Sequence, residues 1–192
     1  MSALSTNIKT RNKIHPLKYA LWIALGSITM MFAALSSAYV VRQSAGNWLE
    51  FQLPQTFFYS TVVLLISSLT IQLSFNSFTK GNALPYRQLL IVTFLLGILF
   101  VVLQYKGWTD LQKIGIELTG NPSGSFVYLI SGVHAAHVLG GIACLIVALA
   151  HAFILDFKVT PVRILRFELV VNYWHFVDIL WVYILIFFLF QR

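Results

Sequence analysis

Acidic charge is scarce in this chain: six Asp and Glu stand against thirteen Lys and Arg in 192 residues, and all charged types together make up 10%. Ordinary soluble domains carry roughly 25%, so a solvated globular surface is excluded. Cysteine is nearly absent as well. The single Cys144 cannot form an intrachain disulfide, and its place inside an apolar run predicts a small buried apolar role. No Ser/Gly-rich linker, low-complexity tract or internal repeat divides the chain, so one domain over 1–192 is expected. Short alternating segments of the barrel type are missing too, which argues against a transmembrane β-barrel.

What the chain does have is apolar length: 58% of its residues are hydrophobic and its mean hydropathy is +0.81. A hydrocarbon core of about 30 Å needs about 20 helical residues. Five stretches reach that length, approximately 17–41, 57–78, 84–105, 126–153 and 167–190. The expected fold is therefore all-α, a polytopic membrane bundle of five transmembrane helices. The first apolar run is too long, and too free of a small-residue cleavage site, to be a secretory signal, so it is expected to persist as a helix. Lys9, Arg11, Lys13, Lys18, Lys80, Arg87, Lys158, Arg163 and Arg166 fall on one side of these spans, and Arg42, Lys106, Lys113 and Arg192 on the other. The positive-inside rule then puts the N-terminus in the cytoplasm and the C-terminus outside a cell inner (plasma) membrane. The net charge of +7 is used up by those loops and by anionic lipid headgroups, which leaves no basic face for nucleic acid.

Between the spans, the longest connection is expected from about Lys106 to Ser125, with Trp108 as an interfacial anchor; Trp48 is a second. The first helix carries MMFAALSSAYVVRQ, whose Ala33, Ala34, Ser36, Ser37 and Ala38 form a small-residue surface suited to close helix packing. The second and third helices, mostly hydroxyls and aliphatics with Gln72 and Gln104 near their ends, read as lipid-facing or partner-facing scaffold.

Ionisable groups are costly within spans, and here they concentrate in the last two. The fourth helix has SGVHAAHVLGG with His134 and His137, then His151. The fifth has Glu168, Asn172, His175 and Asp178 three or four residues apart, one continuous stripe on a helix. Counting outward from a turn near Thr160 brings His151 level with Glu168, and His137 within about a turn and a half of Asp178. An antiparallel hairpin with its polar faces turned inward is expected, its approach eased by Gly132, Gly140 and Gly141. Three chemistries compete with a purely structural network there. A metal could take His134, His137, His175 and a carboxylate, though HxxH alone is a weak signal. A haem could take His137 and His175 as axial ligands. A proton or substrate relay is allowed by charge. A hydrogen-bond network that fixes the hairpin outweighs each.

HAAHVLGG at 134–141 and FELVVNYWHFVDILW at 167–181 resemble the last two helices of subunit III of the haem-copper terminal oxidases, the cytochrome c oxidase subunit III family. The resemblance runs through His134, His137, Val138 and Gly141, then Glu168, Tyr173, Trp174, His175, Phe176, Val177, Asp178 and Trp181. It is strong over roughly 124–181 and weaker in MMFAALSSAYVVR, which is similar to the family's third helix. That family commonly has seven helices where this chain has five, as some bacterial members do, and Ile28 stands where a membrane-buried Glu is often found. The resemblance implies a subunit without redox centres or metal of its own, bound to the catalytic subunit I, which holds haem and copper, and to other oxidase subunits. It implies a role in stabilising that subunit, binding phospholipid and sustaining proton uptake in aerobic electron transport. His134, His137, Glu168, His175 and Asp178 are then the expected structural or lipid-binding seam, with Trp174 and Trp181 candidates for lipid contact or for core packing. A subunit III-like protein of a nitric oxide reductase would share these motifs, and a b-type cytochrome or a transporter would also account for buried histidines.

Overall fold

A computed structural model describes residues 15–191; Lys9, Arg11, Lys13 and Arg192, which enter the orientation argument, lie outside the described residues. Five helices follow one another: α1 (Pro16–Ser44), α2 (Gln55–Thr79), α3 (Ala83–Lys113), α4 (Pro122–Ile154) and α5 (Pro161–Phe190). Each is long and apolar enough to cross a membrane, and the protein is a multi-pass membrane helix bundle.

The helices outrun the apolar stretches because their ends are set by capping chemistry. Thr160 accepts from the Arg163 amide and Pro161 takes the first helical position, so α5 starts a turn and a half before Phe167. Asn121 and Pro122 open α4 in the same way. At the other ends, Gly81 and Gly115 adopt positive φ just past α2 and α3, a conformation that glycine enters without steric cost. The expected long connection after Lys106 is correspondingly corrected: α3 continues to Lys113, and Trp108 donates to Ser131 Oγ at 2.9 Å on α4.

The tightest pair is α2 with α3. Besides Thr56 and Tyr86, the buried positions on α2 are Phe57, Ser60, Leu64, Ser67, Ile71, Ser74 and Phe78, and on α3 Leu90, Thr93, Gly97, Phe100, Gln104, Gly107 and Leu111. The spacing alternates between three and four, a heptad seam with serine at every seventh residue of α2. Small hydroxyls let the backbones approach and bond across them, as Ser74 Oγ does to the Tyr86 carbonyl and Gln104 Nε2 to Ser60 Oγ, both at 3.0 Å. The reading of these helices as lipid-facing or partner-facing scaffold is thus corrected on this side of the pair.

Helices α4 and α5 pack on each other antiparallel and on α3 and α2 respectively, while α1 meets only α4 and α5. Of α1, Phe32, Ser36 and Tyr39 are buried. Ala33, Ala34, Ser37 and Ala38 face away from the bundle, so of the small-residue surface Ser36 is the member that packs within the chain. Cys144 is likewise exposed on the outer side of α4, against the expectation of burial.

Candidate functional site

The polar residues of α4 and α5 do not form one seam between those helices. His134 is fully enclosed, with its ring centroid 5.0 Å from that of Trp181, 5.9 Å from Phe100 and 6.4 Å from Phe32. Neither of its nitrogens has a hydrogen-bond partner among the described residues. His137 Nδ1 donates to the Val133 carbonyl one turn back at 2.8 Å, and its ring meets Phe32 of α1.

On α5 the stripe turns away from α4. Glu168 takes an ion pair from Lys18 of α1 at 2.6 Å. His175 reaches α2: its Nδ1 is 2.6 Å from Ser68 Oγ and its Nε2 3.0 Å from Gln72 Oε1. An amide oxygen only accepts, so Nε2 donates its hydrogen to Gln72, while Nδ1 and the serine hydroxyl share the second hydrogen bond. Asp178 is 3% exposed and neither oxygen has a hydrogen-bond partner among the described residues; Ser68, which bonds His175, lies beside it. Asn172 is exposed. His151, on α4, is also exposed. The inward-facing stripe is therefore corrected: α5 presents Glu168, Asn172 and His175 between α1 and α2, and buries Asp178.

Trp174 and Trp181 sit in the core, 1% and 0% exposed, and not at the lipid surface. Trp174 donates to Ser67 Oγ of α2 at 3.1 Å. Its ring lies where a Cβ on Gly97 of α3 would come within 2.8 Å and one on Gly141 of α4 within 2.9 Å. One indole thus touches α2, α3 and α4 at once. Trp181 donates to Thr61 of α2 at 2.9 Å and stacks on Phe57. Of the three glycines expected at the hairpin, Gly141 is the one that needs to lack a side chain, whereas a Cβ on Gly132 would meet open space.

Sequence reasoning missed Ser67, Ser68, Thr61 and Gln72 as the partners of α5, and Gly97 as the second half of the Trp174 slot. The seven-residue recurrence of Ser60, Ser67 and Ser74 was the available signal. Among the described residues no three His, Cys, Asp or Glu side chains converge as metal ligands. His175 directs both ring nitrogens at α2, not toward His137, so the paired axial ligation considered for a haem is not assembled.

At the end of the bundle that carries the α4–α5 turn, a crevice of about 260 Å³ opens between those helices. Phe78, Tyr86, Phe157 and Phe167 line its apolar part, and His151, Asp156, Arg163 and Arg166 its polar part.

These features define a class: a polytopic membrane bundle in which hydroxyls of α2 receive Trp174, His175 and Trp181 of α5 and aromatic rings enclose His134. The family model for cytochrome c oxidase subunit III matches residues 10–191, and the chain belongs to that family. It is 31% identical over 187 residues to a probable cytochrome c oxidase subunit 3 of Mycobacterium bovis, covering 94% of this chain and 91% of that one. The cytochrome c oxidase subunit 3 of Corynebacterium diphtheriae is 30% identical over 168 residues, 83% of this chain and 80% of that one. That of Osphranter robustus is 33% identical over 125 residues, 65% of this chain but 46% of its own greater length. Membership places the chain in the context of respiration and implies other oxidase subunits as partners.

Proposed function

We propose that this chain is the accessory subunit III of a proton-pumping haem-copper oxidase, that it holds no redox centre itself, and that it stabilises the catalytic subunit and supports its proton uptake. The observation that carries this reading is the family match across all five helices. Two structural features support the finer roles. His134 is packed among the rings of Trp181, Phe100 and Phe32, and Trp174 ties α5 to three other helices, an arrangement suited to a rigid scaffold. His151 and Glu168 stand toward the basic end of the bundle, where protonatable groups would meet protons entering from the cytoplasm. The haem and copper then belong to the catalytic subunit.

Phospholipid binding fits the crevice beside the α4–α5 turn. Its apolar part suits an acyl chain, and Arg166, exposed beside it, suits an anionic headgroup. By the distribution of Lys and Arg the N-terminus is cytoplasmic, which puts this crevice on the inner leaflet.

The test is purification through a tag on this chain in mild detergent, recording polypeptide composition, metal, phospholipid phosphorus and the reduced-minus-oxidised visible spectrum together. A large haem- and copper-bearing polypeptide with bound phospholipid is expected. Haem in this chain alone, or a colourless chain purifying by itself, would overturn the reading. Oxidase prepared without this chain is expected to lose activity faster during turnover and to take up protons more slowly.

A further inference from the structure

We infer that the outward stripe of α5, between α1 and α2, is the seat for a single transmembrane helix of another oxidase subunit that brings a hydrogen-bonding side chain to the level of Asn172 and Gln72. The inference rests on the accessory-subunit reading and adds the face and the chemistry of contact.

Helices α1 and α2 reach α5 from opposite sides and do not touch each other. From α1 come Lys18 to Glu168 and Ser36 to the Tyr183 hydroxyl; from α2 come Ser68 and Gln72 to His175. Between these supports α5 stays open: Asn172 is exposed, His175 half-buried and Ile179 69% exposed. At the lower end of the same face, an open crevice of about 620 Å³ lies between Trp22 of α1 and Ile164 and Glu168 of α5.

Depth makes this face unlike the others. Asn172 lies about 16 Å along α5 from Pro161, at 1.5 Å per residue, and His175 stands at the middle of the helix. Asn172 makes no hydrogen bond with any described residue, and Gln72 on the adjoining rim is exposed with only His175 and Asn76 as partners. Acyl chains offer an amide no hydrogen bond, so polar side chains at this depth turn to protein. The outward face of α3, by contrast, shows Leu95, Ile98, Leu99 and Val102 and suits lipid. A carboxamide supplies both donor and acceptor, so the incoming helix needs one polar side chain of either kind, while its apolar surface meets Ile179 and Leu65.

The test uses the assembled oxidase in its own membrane. A photoreactive p-benzoylphenylalanine is placed at position 179 in one strain and at position 95 in another, and after irradiation the adducts of this chain are identified. An adduct with a second oxidase polypeptide is expected from position 179 and none from position 95. The paired variant Asn172→Leu with Gln72→Leu is expected to lower the fraction of chain retained with the complex about two- to threefold for each hydrogen bond lost. An oxidase adduct from position 95 alone, an adduct between two copies of this chain from position 179, or no adduct from either while the complex still purifies intact, would overturn the inference and leave the accessory-subunit reading standing. A chain that purifies with no oxidase polypeptide at all would remove both.

Discussion

Trp174 shows at the scale of one residue how this bundle is held. Its indole hydrogen is accepted by Ser67, its ring fills the space left by Gly97 and Gly141, and a fourth helix carries it. In a bilayer, where lipid is as apolar as leucine, such fit and hydrogen bonding replace the hydrophobic effect as the source of association. Gly141→Ala puts a Cβ at 2.9 Å from that ring, an overpacking that costs about 1–3 kcal/mol. A lowered unfolding midpoint of the purified complex in detergent is the expected outcome, and an unchanged midpoint would show that the ring can move aside. His134 tests the opposite point. Its ring sits among Phe100, Trp181 and Phe32 with both nitrogens lacking a partner among the described residues, so His134→Phe keeps the ring contacts and removes two orphaned polar atoms. Oxidase yield and turnover within about twofold of the parent are expected; a collapse in turnover at normal yield would assign those nitrogens a role beyond packing.

Among the elements, α2 and α3 form the tight heptad pair, α5 touches each of the other four, and α1 is held the most lightly. Its polar attachments are an ion pair at one end, Tyr39 and Gln43 bonding the Gln191 carbonyl at the other, and the Ser36–Tyr183 contact between, with Phe32 and Tyr39 adding ring contacts. Local stability follows contact density. In hydrogen–deuterium exchange on the purified protein, α1 amides are therefore expected to exchange ahead of those of α3 and α5, and equal protection would show that other subunits cover α1. The same helix carries Ala33, Ala34, Ser37 and Ala38 outward. Their small size is legible in the chain, but which side they face depends on Phe32, Ser36 and Tyr39 having taken the inner positions.

Across the whole molecule, α1 and α5 run parallel, both starting at the end where Lys18 meets Glu168. With the N-terminus cytoplasmic, a C-terminal alkaline phosphatase fusion is expected to be active and a fluorescent-protein fusion at the same point dark. The reverse pair would invert the bundle and move the Arg166 crevice to the other leaflet.

The five spans and the family motifs from His134 to Trp181 were determined by the sequence alone, whereas the caps at Asn121 and Thr160 came into view with the structure. Apolar length and residue spacing act locally or survive as pattern. The partners of the polar residues were decided by the tertiary structure. Helices that are apolar nearly all round carry little signal of which face turns inward, so the stripe through Glu168, Asn172 and His175 was compatible with either direction. It turned outward because the larger indoles of Trp174 and Trp181 occupy the interior, where Gly97, Gly141, Ser67 and Thr61 receive them. That choice depends on three other helices being in place, and no spacing within α5 encodes it.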